Sequence, residues 1–172
     1  MWLLLTVDSQ YHDDGESSLG PTIATLSLGA PATMYMRMKY KYYHGYSKAK
    51  KLLEDDPVLP GCKYEHPRRI LKQQLQAGDI PKTVYDALRR ETLFQRGRTG
   101  EAPPVVKMIL HHGDLVVMHG ESLQKYYEHS VVPEKKLRFA LTARYIKPDQ
   151  VDDKDLAKGE CILTPAQVYD GQ

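Results

Sequence analysis

The stretch GPTIATLSLGAPATMYMRMKY, residues 20–40, narrows the choice of fold more than any other part of the chain. Its two halves, TIATLSLG (22–29) and ATMYMRMKY (32–40), alternate or run apolar around a Gly-Ala-Pro turn. A period of two puts one side of each half into a core, so the stretch reads as two antiparallel strands joined at the turn. The pattern returns late in the chain with VVKMILHHG (105–113), DLVVMHG (114–120), YYEHSVV (126–132) and LRFALTARYI (137–146). MWLLLTV at the start reads as a further strand. It lacks a basic segment before its apolar run and is too short to span a bilayer, so it suits neither a signal peptide nor a membrane helix.

Between these strands, roughly 41–104, the grammar changes. Pro57, Pro60 and Gly61 punctuate a loop, EHPRRILKQQLQAG (65–78) has helical composition closed by Gly78, and Pro81 opens PKTVYDALRRETLFQRG, with Gly97 as its stop. Short strands around a helical pair predict a mainly β domain over 1–150, a sandwich or jelly roll with a helical insertion, followed by a tail at 151–172. A length of 172 residues fits one sizeable core. Only Cys62 and Cys161 occur, too few for a disulfide framework, which points to a reducing, intracellular compartment, nucleus or cytoplasm.

Charge is uneven. The whole chain carries 24 Lys plus Arg against 22 Asp plus Glu, which argues against a uniformly basic coat. Residues 41–100, however, hold 13 of those cations against 7 acids. Lys63, Arg68, Arg69, Lys72, Arg89 and Arg90 of the insertion are candidate contacts to nucleic-acid phosphates, or else the polar faces of solvated helices. The Tyr- and His-rich YKYYHGY (40–46) suits a half-wet loop rim or a base-stacking surface.

The chemistry concentrates in YHDDGE. On a strand, His12 and Asp14 share one face and Asp13 points away. One imidazole beside one carboxylate supplies two of the three ligands of a facial triad on non-haem iron, although a loop ion pair would look the same. His129, His119 and the pair His111-His112 all lie near strand ends. On the last strand, Arg138, Ala140, Thr142 and Arg144 share one face and Phe139, Leu141, Ala143 and Tyr145 the other. Arginines turned into a barrel need an anion, and paired guanidiniums suit a dicarboxylate; with Phe139 in the core they would face solvent instead.

In this order, His12-x-Asp14 before GPTIATLSLG, HGDLVVMHGES, YYEHSV, and Arg138 with Arg144 in RFALTAR resemble the AlkB-like branch of the Fe(II)/2-oxoglutarate-dependent dioxygenases. The resemblance implies a double-stranded β-helix, with His12, Asp14 and His129 on Fe(II) and Arg138, Thr142 and Arg144 on 2-oxoglutarate. His119 falls where the family has a turn and is expected at the rim. The implied activity is oxidative demethylation of alkylated nucleic acid, as in DNA or RNA repair. The alternatives are a hydroxylase or demethylase acting on a protein side chain or small molecule, and a non-catalytic jelly-roll binding module. The family's Asn-x-Tyr pair has no match in MWLLLTVDSQ, and its N-terminal bracing segment has no room here. The chain is therefore expected to be a shortened form or a fragment, or to meet its missing cover in a protein partner.

Overall fold

The computed structural model describes residues 10–16, 18–95, 100–134 and 136–151. The N-terminal strand expected over MWLLLTV, the stop at Gly97 and most of the tail lie outside the described residues. Among the described residues, six strands form two three-stranded antiparallel sheets. The first has the order β4-β1-β6, from β1 (Leu19–Gly29), β4 (Leu115–Met118) and β6 (Arg138–Ile146). The second has the order β3-β2-β5, from β2 (Ala32–Met38), β3 (Pro104–Leu110) and β5 (Tyr127–Pro133). The architecture is mainly β and jelly-roll-like.

The hairpin expected at Gly29-Ala30-Pro31 is not formed, because β1 and β2 belong to different sheets. Gly29 has φ +91, and a Cβ there would lie 2.6 Å from the Leu137 carbonyl oxygen. The turn is thus a tight corner that carries the chain from one sheet to the other, and only glycine fits its first residue. Period-two patterning reports that each strand has a buried face; it does not report the partner.

Inner faces of both sheets contribute to one core cluster, in which Ile23, Met34, Leu110 and Met118 are buried with Met36, Val116, Leu123 and Val131 packed around them. A second cluster, Met38, Tyr42, Val58, Cys62 and Ala102, lies under the insertion. Burial raises the Cys62 thiol pKa, so this cysteine sits there as an inert apolar group.

The strand read over 32–40 ends at Met38, and a short helix α1 (Tyr40–His44) takes over until Gly45 caps it at φ +80. The pair of helices expected in the insertion is present as α2 (Glu65–Ala77) and α3 (Lys82–Leu93). A fourth, α4 (Glu121–Tyr126), precedes β5.

Two expectations about the insertion change. Tyr42, His44 and Tyr46 are buried, so YKYYHGY packs the base of the insertion and does not form a wet rim or a stacking platform. Arg68 and Arg89 are each 1% exposed and are removed from the set of phosphate contacts. Arg68 donates to Asp56 from Nε at 3.0 Å and from Nη2 at 2.6 Å, and to the Tyr43 and Lys63 carbonyls at 2.9 and 2.8 Å. The Arg89 guanidinium lies 3.5 Å from the same carboxylate and donates to the Leu53 carbonyl at 3.0 Å. Helical spacing cannot distinguish these buried arginines from solvated ones, because the acid that pairs them lies in the preceding loop.

Candidate metal centre

His12 lies outside the named strands yet extends the second sheet. It forms an isolated antiparallel bridge with His129 of β5, the two exchanging N–H···O=C bonds of 2.9 and 2.8 Å. Directly opposed residues point the same way, so the backbone alone sets the imidazole rings side by side, with centroids 4.5 Å apart. Asp14, two residues on, turns to the same side. Its carboxylate lies 3.9 Å from His12 Nε2 and 3.7 Å from His129 Nε2. One ligand atom from each of the three falls within 4.8 Å of the others.

The three side chains grade from outside to inside: His12 is 56% exposed, Asp14 28% and His129 12%. Burial lowers the His129 pKa, against the opposing pull of Asp14, so its ring tends to the neutral form that a metal requires. His12 Nδ1–H donates to the Gln10 carbonyl at 3.1 Å, which fixes the tautomer and leaves the Nε2 lone pair free for a metal. Two of the three rival histidines have side chains engaged elsewhere. His119 is exposed and shares a 2.7 Å hydrogen bond with Thr22 Oγ1, and His112 Nδ1 accepts the Gly29 N–H at 3.0 Å.

The inner face of β6 settles the strand-parity question. Arg144 is opposite buried Ile23, and Arg138 Nη2 donates to the Oγ of buried Ser27 at 3.1 Å. Phe139, Leu141 and Tyr145 are exposed on the other side. Thr142, on the arginine side, is also exposed and meets Thr25 Oγ1 at 3.2 Å. The two guanidiniums differ. Arg144 Nη2 donates to the Asp14 carbonyl at 2.6 Å and so supports the backbone of the segment that carries His12 and Asp14. Arg138 pairs with no carboxylate among the described residues, and burial alone lowers its pKa. The Nε atoms of both are buried without a partner, which suits an anion held between them.

Sequence reading missed Ser27, Lys39 and Gln10. Nothing in strand patterning marks a serine or lysine that acts through a long-range partner, and the Gln10 contact comes from its backbone. An open cleft of about 470 Å³ adjoins that segment, lined among others by Asp13, Arg144, Lys41, Lys125 and Lys147.

Two histidines and one carboxylate whose ligand atoms lie this close form a candidate site for one metal ion, with the ligand types of non-haem iron oxygenases, and an arginine without an acid partner among the described residues suits an acidic co-substrate. The family model of the 2OG-Fe(II) oxygenase superfamily matches residues 8–144, and the chain belongs to that superfamily. The family uses Fe(II) and 2-oxoglutarate. A comparison with curated proteins finds no match. Among the described residues, no helix is long and apolar enough to cross a membrane.

Proposed function

We propose that this chain is an AlkB-like dioxygenase that demethylates alkylated nucleic acid. In this reading His12, Asp14 and His129 hold Fe(II), while Arg138, Thr142 and Arg144 face 2-oxoglutarate. The observation that carries it is the pairing of a three-ligand cluster with a half-buried guanidinium whose Nε is buried and which has no acid partner among the described residues. When bound, the iron and 2-oxoglutarate would supply, with molecular oxygen as oxidant, hydroxylation of a C–H bond coupled to decarboxylation of the keto acid to succinate and carbon dioxide. An N-methyl carbon hydroxylated in this way is lost as formaldehyde.

The protein's own residues supply placement. Ser27 holds one end of Arg138, leaving its Nε for the far carboxylate of the co-substrate. Arg144 braces Asp14 through its carbonyl, which keeps that carboxylate between the two imidazoles. His12, the most exposed ligand, lies on the side open to a large substrate.

A nucleic-acid substrate is favoured by charge around the cleft. Lys41, Lys125 and Lys147 line it without an acid partner among the described residues, and with Lys39 and Arg144 they outnumber the lining acids Asp13, Glu16 and Glu121. The insertion offers less: Arg69 pairs with Glu65, Lys72 lies 3.8 Å from Asp55, and only Lys63 and Arg90 of the expected set are exposed or half-buried cations without an acid. Phosphates would therefore cross the cleft first, and the insertion second through Lys63 and Arg90.

The test is succinate and formaldehyde release with Fe(II), 2-oxoglutarate and oxygen, on an N-methylated oligonucleotide and on a methylated peptide. Formaldehyde from the oligonucleotide, declining steeply with salt, is the expected result. Succinate without oligonucleotide turnover would move the substrate to a protein or small molecule. No succinate at all, even uncoupled, would leave a non-catalytic module.

A further inference from the structure

Residues 11–14 present two sides. His12 and Asp14 face the candidate metal position, whereas Tyr11 and Asp13 face the reverse, and each reverse-side residue is held by a cation, one near the end of β2 and one just after it. The Arg37 guanidinium lies 3.8 Å from the centroid of the Tyr11 ring and is itself tied to Glu128 at 2.7 Å and Glu101 at 3.3 Å. Lys39 Nζ donates to Asp13 Oδ2 at 2.6 Å.

Lys39 reaches further than that pair. Its ammonium also donates to the Gln124 carbonyl of α4 at 2.6 Å, and its backbone N–H donates to the Tyr126 carbonyl at 2.9 Å. Tyr126 is the last residue of α4 and is followed directly by β5, which carries His129. One side chain therefore bonds both to the loop bearing the first two ligands and to the element leading into the third. The Lys39 side chain is 17% exposed, so its charge is partly withdrawn from water, where such contacts are stronger than at an open surface. Asp13 Oδ1 also accepts the Gly15 N–H at 3.2 Å, which bends the loop just after Asp14.

We propose that Lys39 is a positioning residue for the metal centre: by holding Asp13 on the reverse side of the loop, it fixes His12 and Asp14 at the distance from His129 that one metal ion requires. The inference rests on the reading of His12, Asp14 and His129 as the ligands. Groups bonded directly to metal ligands are typically worth about 10- to 100-fold in metal affinity, and a brace one residue removed from them should fall at the lower end of that range.

The experiment is Mn(II) titration of the apoprotein, followed by electron paramagnetic resonance, with thermal unfolding of each metal-free variant as control. Lys39→Met is expected to weaken Mn(II) binding at least about tenfold while the metal-free protein stays folded. Asp13→Asn should lose a similar amount, Lys39→Arg should recover most of it, and the double variant Lys39→Met/Asp13→Asn should be no weaker than either single. In turnover, the iron concentration for half-maximal rate should rise while the rate at saturating iron changes little. Mn(II) affinity within about twofold of the parent for Lys39→Met and Asp13→Asn, or losses that simply add, would overturn the inference. If Lys39→Met does not fold, Asp13→Asn and Lys39→Arg decide between the same outcomes. Failure of the parent protein itself to bind Mn(II) would instead overturn the metal-centre reading.

Discussion

His12 and His129, separated by most of the described chain, exchange both of their backbone hydrogen bonds across one antiparallel bridge, at 2.9 and 2.8 Å. The imidazoles are therefore adjacent because the main chains pair, and the pairing needs neither ring. His12→Ala and Asp14→Ala should each abolish Mn(II) binding while leaving the thermal stability of the metal-free protein within about 0.5 kcal/mol, the usual range for substitutions outside a core. Electron paramagnetic resonance and thermal unfolding measure the two quantities. Loss of fold with loss of metal would mean that the rings do hold the bridge together.

Arg138 should separate co-substrate from metal. Arg138→Met removes a half-buried guanidinium that no described acid compensates, so the metal-free protein should be no less stable than the parent. Mn(II) affinity should stay within about threefold, while 2-oxoglutarate binding to the Mn(II) form should weaken on the order of a hundredfold, because a charge-assisted pair is lost. Calorimetric titration reads both. Equal losses of metal and 2-oxoglutarate would show that the ligand and anion roles were divided wrongly.

Cleft lysines and buried arginines should respond in opposite ways. Lys125→Gln and Lys147→Gln should leave stability unchanged, and each should reduce the slope of log affinity for a methylated oligonucleotide against log salt by about one. Arg68→Met leaves Asp56 buried with a weaker set of partners and should cost about 3–5 kcal/mol in denaturant unfolding. A salt slope insensitive to the two lysines would remove phosphates from the cleft.

His44 gives the fold a pH dependence. Burial lowers its pKa below the ordinary 6.5, and its Nε2–H donates to the Gly100 carbonyl at 2.8 Å. The unfolded chain then binds the extra proton more readily than the folded one. Stability is complete above about pH 6.5 and is lost as pH falls below it. Thermal unfolding of the metal-free protein between about pH 7.5 and pH 5.5 should show this loss, with a smaller slope in His44→Gln. Some slope should persist, because burial lowers the pKa of His129 in the same direction. An unchanged slope in His44→Gln would mean that His44 binds its proton equally well in the folded and unfolded chain, which would overturn the lowered pKa.

Much of the site could be read from local spacing. Side chains two apart on an extended segment face the same way, which set Asp14 beside His12 and turned Asp13 away, and the same parity grouped Arg138 with Arg144. Those inferences need only the geometry of one strand. Other features depend on partners distant in sequence. Whether the arginine side of β6 faced the core was undecided until Ile23 and Ser27 were seen opposite it. The corner at Gly29 looked like a hairpin because a turn signal does not say which sheet receives the next strand. Arg68 and Arg89 looked like phosphate contacts because helical periodicity cannot register Asp56, a buried acid contributed by a loop. By itself, the sequence determined the periodicities and the chemical groups; the tertiary structure decided which strand pairs with which and which charges are withdrawn from water, since both follow from long-range burial that no local pattern encodes.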